Sequence, residues 1–300
     1  MFEQSKLLFL YCVSPVHLGA GQATGVIDNP IQRERHTNHP NMAGSGIKGA
    51  LRHHLTNHDN FPVNDIFGPD SNSSDYAGAI SFGDAQLLAF PVRSLKQAWV
   101  YAVSPVTLAR LKRLAETIGI AVDWTVPTVT ATQATVVDKQ VLHNDKLVLE
   151  AFEYTASPAE DLKEIAEWIA VNALPEDDSH AYFREKIKTD LVLLPDADFS
   201  HFVENATVVE AHVRINNDTG TAEKGGLFYT ENLPPESLLI APVFASQVRK
   251  KDALKDAKFV MDTVVSALHN TLVQIGGDAS TGRGQLALHF AGNNNQMAGE

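Results

Sequence analysis

Asp28 is the carboxylate whose setting could support chemistry. It lies in Val26-Ile27-Asp28-Asn29-Pro30-Ile31-Gln32-Arg33-Glu34-Arg35, between a glycine-rich loop and a run of arginine and histidine. Asp-Asn-Pro is ordinary turn chemistry and requires no catalytic role. A carboxylate in that position could also hold Mg²⁺ beside a phosphate, or orient or deprotonate an attacking hydroxyl. On these residues both readings stand.

Three segments could hold an anion. Ser14-Pro15-Val16-His17-Leu18-Gly19-Ala20-Gly21-Gln22-Ala23-Thr24-Gly25 has GxGxxxG spacing and opens no helix, which disfavours a dinucleotide site. Its glycines admit close approach of a phosphate backbone or serve a plain flexible turn. Gly44-Ser45-Gly46-Ile47-Lys48-Gly49-Ala50-Leu51-Arg52 reads as a helix start with Ser45 as cap. Small residues there leave backbone N–H groups accessible, and Lys48 and Arg52 share one face. The alternative is an ordinary capped helix with a solvated basic face. Lys48 precedes Gly49 rather than Ser or Thr, so the Walker A pattern fails. Gly276-Gly277-Asp278-Ala279-Ser280-Thr281-Gly282-Arg283-Gly284 is a second glycine loop, either part of one extended anion site or a wide connection.

Other chemistries lack their ligands. His36-xx-His39 ends at Pro40, and His54-xxx-His58 has neither an HExxH glutamate nor cysteine partners, so a zinc site is disfavoured. No GxSxG elbow is present, and Cys12 sits inside an apolar strand pattern. As the single cysteine of 300 residues, it forms no internal disulfide and points to a reducing cytoplasm.

The chain is 44% hydrophobic and 20% charged, which excludes wholesale disorder. No apolar run reaches the roughly 20 residues that a membrane helix requires. A net charge of −12 argues at first against a nucleic-acid partner, but residues 1–60 carry +1 and the remainder −13. Six of the twelve histidines also fall in that first fifth, where an anionic ligand is expected.

These groups need positioning elements. The patterns predict strands at 5–13, 79–90, 98–103, 238–244 and 285–290, and helices at 46–57, 105–119 and 251–272. A hairpin is expected at 136–154 around His143-Asn144-Asp145, and a Ser157 to Glu160 capping box before a helix to 173. Residues 60–78 read as loop. Strands at 207–215 and 226–229 around Asn216-Asn217-Asp218-Thr219-Gly220 read as a projecting hairpin, and the polar tail 292–300 as mobile. The βαβ…βαβ order around a long insertion predicts an α+β fold with a ferredoxin-like core, as in RNA-recognition motifs.

Together these segments resemble the backbone subunits of type III-B (Cmr) CRISPR effector complexes, within the RAMP superfamily. The resemblance rests on Ser14 to Gly21, Gly25 to Thr37, Gly44 to Arg52, Ile66-Phe67-Gly68, Gly83-Asp84-Ala85, Phe90-Pro91-Val92-Arg93-Ser94, Gly225-Gly226-Leu227-Phe228-Tyr229 and Gly282-Arg283-Gly284. One departure is Gly46-Ile47 where the family often has Ser-Leu. The resemblance implies a single domain over 1–300: a core at about 1–104 and 236–291, an insertion at 105–204, and a β-hairpin thumb at 205–232.

It further implies an endoribonuclease whose copies line a guide CRISPR RNA beside other Cmr subunits. Base pairing then selects the single-stranded target RNA. Asp28 matches the family's cleavage aspartate and is expected to hold a divalent cation, Mg²⁺ or Mn²⁺, while His17 and Glu231 match proposed helpers. Gly19, Gly21, Arg33, Arg35, Ser45, Lys48, Arg52, Thr281 and Arg283 are the expected RNA contacts. The rival readings are a backbone protein that binds RNA without cutting and a small-molecule phosphate-binding enzyme.

Overall fold

The computed structural model describes residues 2–70, 76–250 and 254–292. In chain order the elements are β1 (Gln4–Cys12), β2 (Asn41–Met42), α1 (Gly44–Thr56), α2 (Val63–Phe67), β3 (Ile80–Phe82), β4 (Ala85–Ser94), β5 (Ala98–Val103) and α3 (Pro105–Thr117). Then follow β6 (Gln133–Val136), β7 (Lys146–Leu149), β8 (Phe152–Pro158), α4 (Glu160–Ala173), α5 (Ala181–Asp190), β9 (Leu191–Leu193) and α6 (Asp196–Asn205). The last third holds β10 (Val208–Ile215), β11 (Ala222–Asn232), β12 (Leu238–Ala245), α7 (Ala257–Leu268), β13 (Thr271–Gln274) and β14 (Gln285–Ala291).

β1 is apolar without interruption because both of its faces are covered. Side chains alternate across a strand, so Leu8, Leu10 and Cys12 enter one core with Ile47, Leu51 and Leu55 of α1 and Val260 and Val264 of α7. Leu7, Phe9 and Tyr11 enter a second core with Leu108 and Leu111 of α3 and Ile165 and Ile169 of α4. The result is a mixed α/β protein built on a sheet. β14, β1, β12 and β4 are neighbours in that order, all antiparallel. The sheet continues through β5, β9, β6, β8 and β7, and Ser94 of β4 pairs with Leu149 of β7, closing these six strands into a barrel that the ferredoxin-like expectation did not contain.

Several local expectations are corrected. The strand expected at 79–90 breaks at Gly83-Asp84, and the Asp84 carboxylate accepts the Gly44 N–H at 2.7 Å. Asp84 therefore serves the start of α1; Ala43 holds the N-cap position without a side-chain bond, and Ser45 lies exposed inside the helix. A Cβ on Gly44 would come within 2.2 Å of the Phe82 carbonyl oxygen, so only glycine allows α1 to seat so close. The β7–β8 hairpin turns after Leu149, not at 143–145, and Ser157 lies in β8 rather than capping α4, whose N-cap Ala159 has no side-chain bond. α2 interrupts the stretch read as loop. Residues 271–274 form β13 instead of extending α7, because Asn270 adopts a left-handed conformation (φ 57°) that ends the helical path. Residues 71–75, the start of the expected last helix at 251–253, and the tail beyond 292 lie outside the described residues.

The expected projecting hairpin is β10–β11, a separate two-stranded sheet. Cross-strand partners share a face, so Val209, Val213, Ile215 and Leu227 form one exposed apolar side. Glu210, His212 and Phe228 occupy the other, with the His212 and Phe228 rings stacked at 5.2 Å. Among the described residues no helix is long and apolar enough to cross a membrane.

The β13–β14 edge carries a titratable pair. The His289 and His269 rings lie 4.5 Å apart, and His289 Nδ1 donates to Asn270 Oδ1 at 2.8 Å. Burial, reinforced by His269, pushes the His289 imidazole down to about 4 from its ordinary 6.5. The unfolded chain therefore protonates first, so this group's stabilisation is complete above pH 6.5 and is lost as pH falls through about 4. Denaturant melts at pH 7 and pH 4 are expected to differ by about 3 kcal/mol from this group, with His289→Gln removing that part of the slope.

Candidate functional site

The two glycine loops meet. Gly277 N–H donates to the His17 carbonyl at 2.9 Å, and Gly284 N–H to the Pro15 carbonyl at 2.8 Å. Gly276 has φ +100°, and a Cβ there would stand 2.6 Å from the His17 carbonyl oxygen, so glycine is required where the second loop crosses the first. The exposed side of α1 adjoins this junction: Gly49, His53 and Asn57 line an open cavity of ≈740 Å³ with Gln274, Gly276 and Ala279.

Residues 28–31 run beside the root of β11. Asn29 N–H donates to the Tyr229 carbonyl, and Glu231 N–H to the Asn29 carbonyl, each at 3.0 Å. Asp28 Oδ2 accepts the Tyr229 N–H at 2.7 Å. Among the described residues its other oxygen has no hydrogen-bond partner, and the half-buried side chain lines an open cavity of ≈440 Å³ with Asn29, Arg214, Gly226 and Phe228. His17 is tied two residues further along β11, its Nδ1 2.7 Å from the Glu231 carbonyl oxygen. A carbonyl only accepts, so Nδ1 is the donor, and Nε2 faces Gly19. Two positions on an extended strand span roughly 7 Å, so Asp28 and His17 are fastened side by side.

Glu231 is buried between these groups, and its carboxylate is fully engaged. Oε2 accepts the Ile31 N–H at 3.0 Å, while Oε1 accepts from Arg33 at 2.6 Å and from Thr207 at 2.8 Å. Arg33 also donates to the carbonyls of Asn38 and Val203, so both members of the pair hold the structure together. The next residues act similarly. Glu34 forms a buried bidentate pair with Arg110 of α3. Burial alone would raise the Glu34 carboxyl, but hydrogen bonds from Thr37 and Arg110 and the Arg110 charge hold it below its ordinary value.

The expected RNA contacts divide into two groups. Gly19, Gly21, Arg35, Ser45 and Thr281 are exposed, and Arg35 has no side-chain partner among the described residues. Lys48 instead donates to the Ile80 carbonyl at 3.0 Å, and burial, with Arg52 and Arg249 nearby, lowers its pKa. Arg52 binds the Gly68 carbonyl, Asn64 and Asp70, fastening α1 to α2. Arg283 pairs with Glu210 of β10 and anchors the hairpin to the second glycine loop. Sequence reasoning missed Asp84, Arg110 and Arg214, whose roles depend on long-range contacts; the Gly225-Gly226 pair opposite Arg214 was the one local signal.

The metal question rests on few ligands. Among the described residues no group of three or more His, Cys, Asp or Glu side chains is placed to hold an ion. The paired spacings at His36/His39 and His54/His58 thus build no centre: the His39 ring bonds Ser200, and the His54 and His58 rings lie 5.1 Å apart.

A profile of the RAMP superfamily matches residues 9–287, and the chain belongs to that superfamily. Within it, the similarity reaches a particular subunit: the chain is 37% identical over 286 residues to the CRISPR system Cmr endoribonuclease Cmr4 of Pyrococcus furiosus, covering 94% of each chain. The crystal structure of oligomeric Cmr4 from Pyrococcus furiosus matches with a TM-score of 0.76 at 28% identity, over 97% of this chain and 99% of that one. A chain in the cryo-EM structure of the type III-B Cmr-beta complex bound to cognate target RNA matches with a TM-score of 0.73 at 18% identity, over 96% and 98%, a likeness of fold.

Because Glu231 is engaged on both oxygens, its removal strands the Arg33 cation. Glu231→Gln is expected to lower the stability of the isolated chain by about 2–3 kcal/mol, read from the denaturant midpoint without RNA. An unchanged midpoint would return Glu231 to the candidate reacting groups.

Proposed function

We propose that this chain is the guide-binding backbone subunit of a type III-B effector complex and the subunit that cuts complementary target RNA. The observation carrying the proposal is the half-buried Asp28 carboxylate, held by the Tyr229 N–H and lining a cavity where the hairpin and the first glycine loop meet. The name of its Pyrococcus furiosus relative supports the activity. In this reading copies of the chain follow one another along the guide CRISPR RNA beside other Cmr subunits, in the cytoplasm. The guide lies across the exposed glycines, Ser45 and Thr281, with Arg35 at its edge, while Lys48, Arg52, Arg33 and Arg283 shape the groove from behind.

The antiparallel order β14, β1, β12, β4, with α1 and α7 on one face, supports reading the chain ends as a ferredoxin-like core. On that reading residues 105–204 are the insertion that covers the second face, and residues 205–232 are the thumb.

The reaction is transfer of a phosphodiester to the neighbouring 2′-hydroxyl. The 2′-oxygen forms a bond to phosphorus, the bond to the 5′-oxygen breaks, and a 2′,3′-cyclic phosphate and a 5′-hydroxyl result. DNA lacks the nucleophile, which accounts for RNA as substrate. Asp28 or His17 Nε2 takes the hydroxyl proton, and one proton returns to the departing oxygen. A divalent cation, Mg²⁺ or Mn²⁺, would be held by the free Asp28 oxygen and would supply charge stabilisation at the phosphate. One protein carboxylate with water and substrate phosphate is a common set for Mg²⁺. Glu231 positions His17 and residues 31–33 rather than exchanging protons.

In a reconstituted complex, Asp28→Asn is expected to keep target affinity and to lower the cleavage rate by at least about 10²-fold. Chelation by EDTA should stop wild-type cleavage of an end-labelled target. The products should carry cyclic phosphate ends by mass spectrometry. Retained cleavage in the Asp28→Asn complex would leave the chain a non-cutting backbone.

A further inference from the structure

The cavity that Asp28 lines is also lined by Arg214 of β10, at a point where the hairpin pairing is irregular. β10 and β11 pair regularly from Val208↔Asn232 to Val213↔Leu227, and the register then jumps to Ile215↔Ala222. Arg214 sits at the jump. Across from it, Gly226 is buried, and a Cβ there would stand 2.9 Å from the Arg214 Cβ. Gly225 adopts a left-handed conformation, φ +77°, which a side-chain-bearing residue rarely takes. An irregularity of this kind bends a ribbon and re-aims one side chain. The extra residues, 223–226, belong to β11, and Arg214 keeps the face of His212 and Phe228 that strand alternation gives it, lining the cavity with Asp28, Asn29 and Phe228.

Its guanidinium is available to a ligand. Among the described residues its only side-chain partner is Glu223 at 3.7 Å, in a pair with 74% and 38% of the two side chains exposed, and such pairs are worth little. The neighbouring arginines are committed: Arg33 to Glu231 and Arg283 to Glu210. A planar guanidinium matches two oxygens of one phosphate, and its attraction grows as negative charge builds on them in the transition state.

We infer that Arg214 is a further catalytic residue, which binds the non-bridging oxygens of the scissile phosphodiester opposite Asp28. This rests on the RNA-cleaving function proposed above. Arg214 keeps its proton throughout; it donates hydrogen bonds that strengthen as the phosphorus becomes five-coordinate. A cation supplied from the hairpin also ties cutting to the seating of that hairpin against the target strand.

The test is single-turnover cleavage of an end-labelled target by reconstituted complexes, with target affinity measured in parallel. Arg214→Ala is expected to slow cleavage by about 10²-fold while affinity changes by less than about threefold. Arg214→Lys, which keeps charge but loses the fork, should recover about tenfold of that loss. Glu223→Gln, which perturbs the same bulge and frees the guanidinium, should cut at the wild-type rate. Wild-type cleavage by Arg214→Ala, or a loss that appears wholly as weaker target binding, would overturn the inference. Should the alanine complex not assemble, Arg214→Lys decides: a slowed rate with normal binding supports the role, and an unslowed rate ends it. In the same assay, Asp28→Asn that still cuts would overturn the assigned reaction instead, so the two failures read apart.

Discussion

A single buried carboxylate joins segments 200 residues apart. Glu231 accepts the Ile31 N–H and pairs with Arg33, while its own N–H donates to the Asn29 carbonyl and its own carbonyl holds His17. Charge burial is costly unless every lone pair is used, and here Thr207 completes the set. The first glycine loop has few apolar side chains of its own. This junction works with the bonds of Asp28 and Asn29 to Tyr229 to keep Asp28 at the hairpin root.

The same economy appears throughout the basic N-terminal segment. Arginine and lysine side chains that a charge count assigns to a ligand turn inward: Arg33 to Glu231, Arg52 to the α2 loop, Lys48 to a backbone carbonyl, and Glu34 meets Arg110 from the other core. Of the expected RNA contacts, the ones left exposed are glycines, small polar residues and Arg35. That suits a ligand read by its backbone rather than by its bases, because close approach and N–H groups matter more there than long cationic stems.

Much of the fold was legible because its strands are either continuously apolar or alternating. β1, β5, β12 and β14 fall where the pattern placed them, and α3 begins at Pro105 as the expected helix at 105–119 does, behind a Ser104 cap. The barrel was not legible, since its closure rests on Ser94 meeting Leu149 and on three-residue β9, contacts with no local signature. Capping misled for the same reason. Ser45 and Ser157 looked like caps, but a distant Asp84 serves one helix and a strand absorbs the other residue. Of the site, Asp28 and both glycine loops could be singled out from spacing. The intramolecular partners of Lys48 and Arg52 were not legible, because sequence shows a charge but not the carbonyl it will meet.

The hairpin is a two-stranded ribbon, and such ribbons are marginal when nothing flanks them. Its supports are concentrated at one end, where Glu231, Thr230 and Glu210 touch the body of the protein. Order must therefore fade outward from root to tip. Asp28 and His17, tied to Tyr229 and Glu231, stay registered to the scaffold, while Arg214 lies two residues before the outer turn around Asn216 to Gly220 and shares more of its freedom.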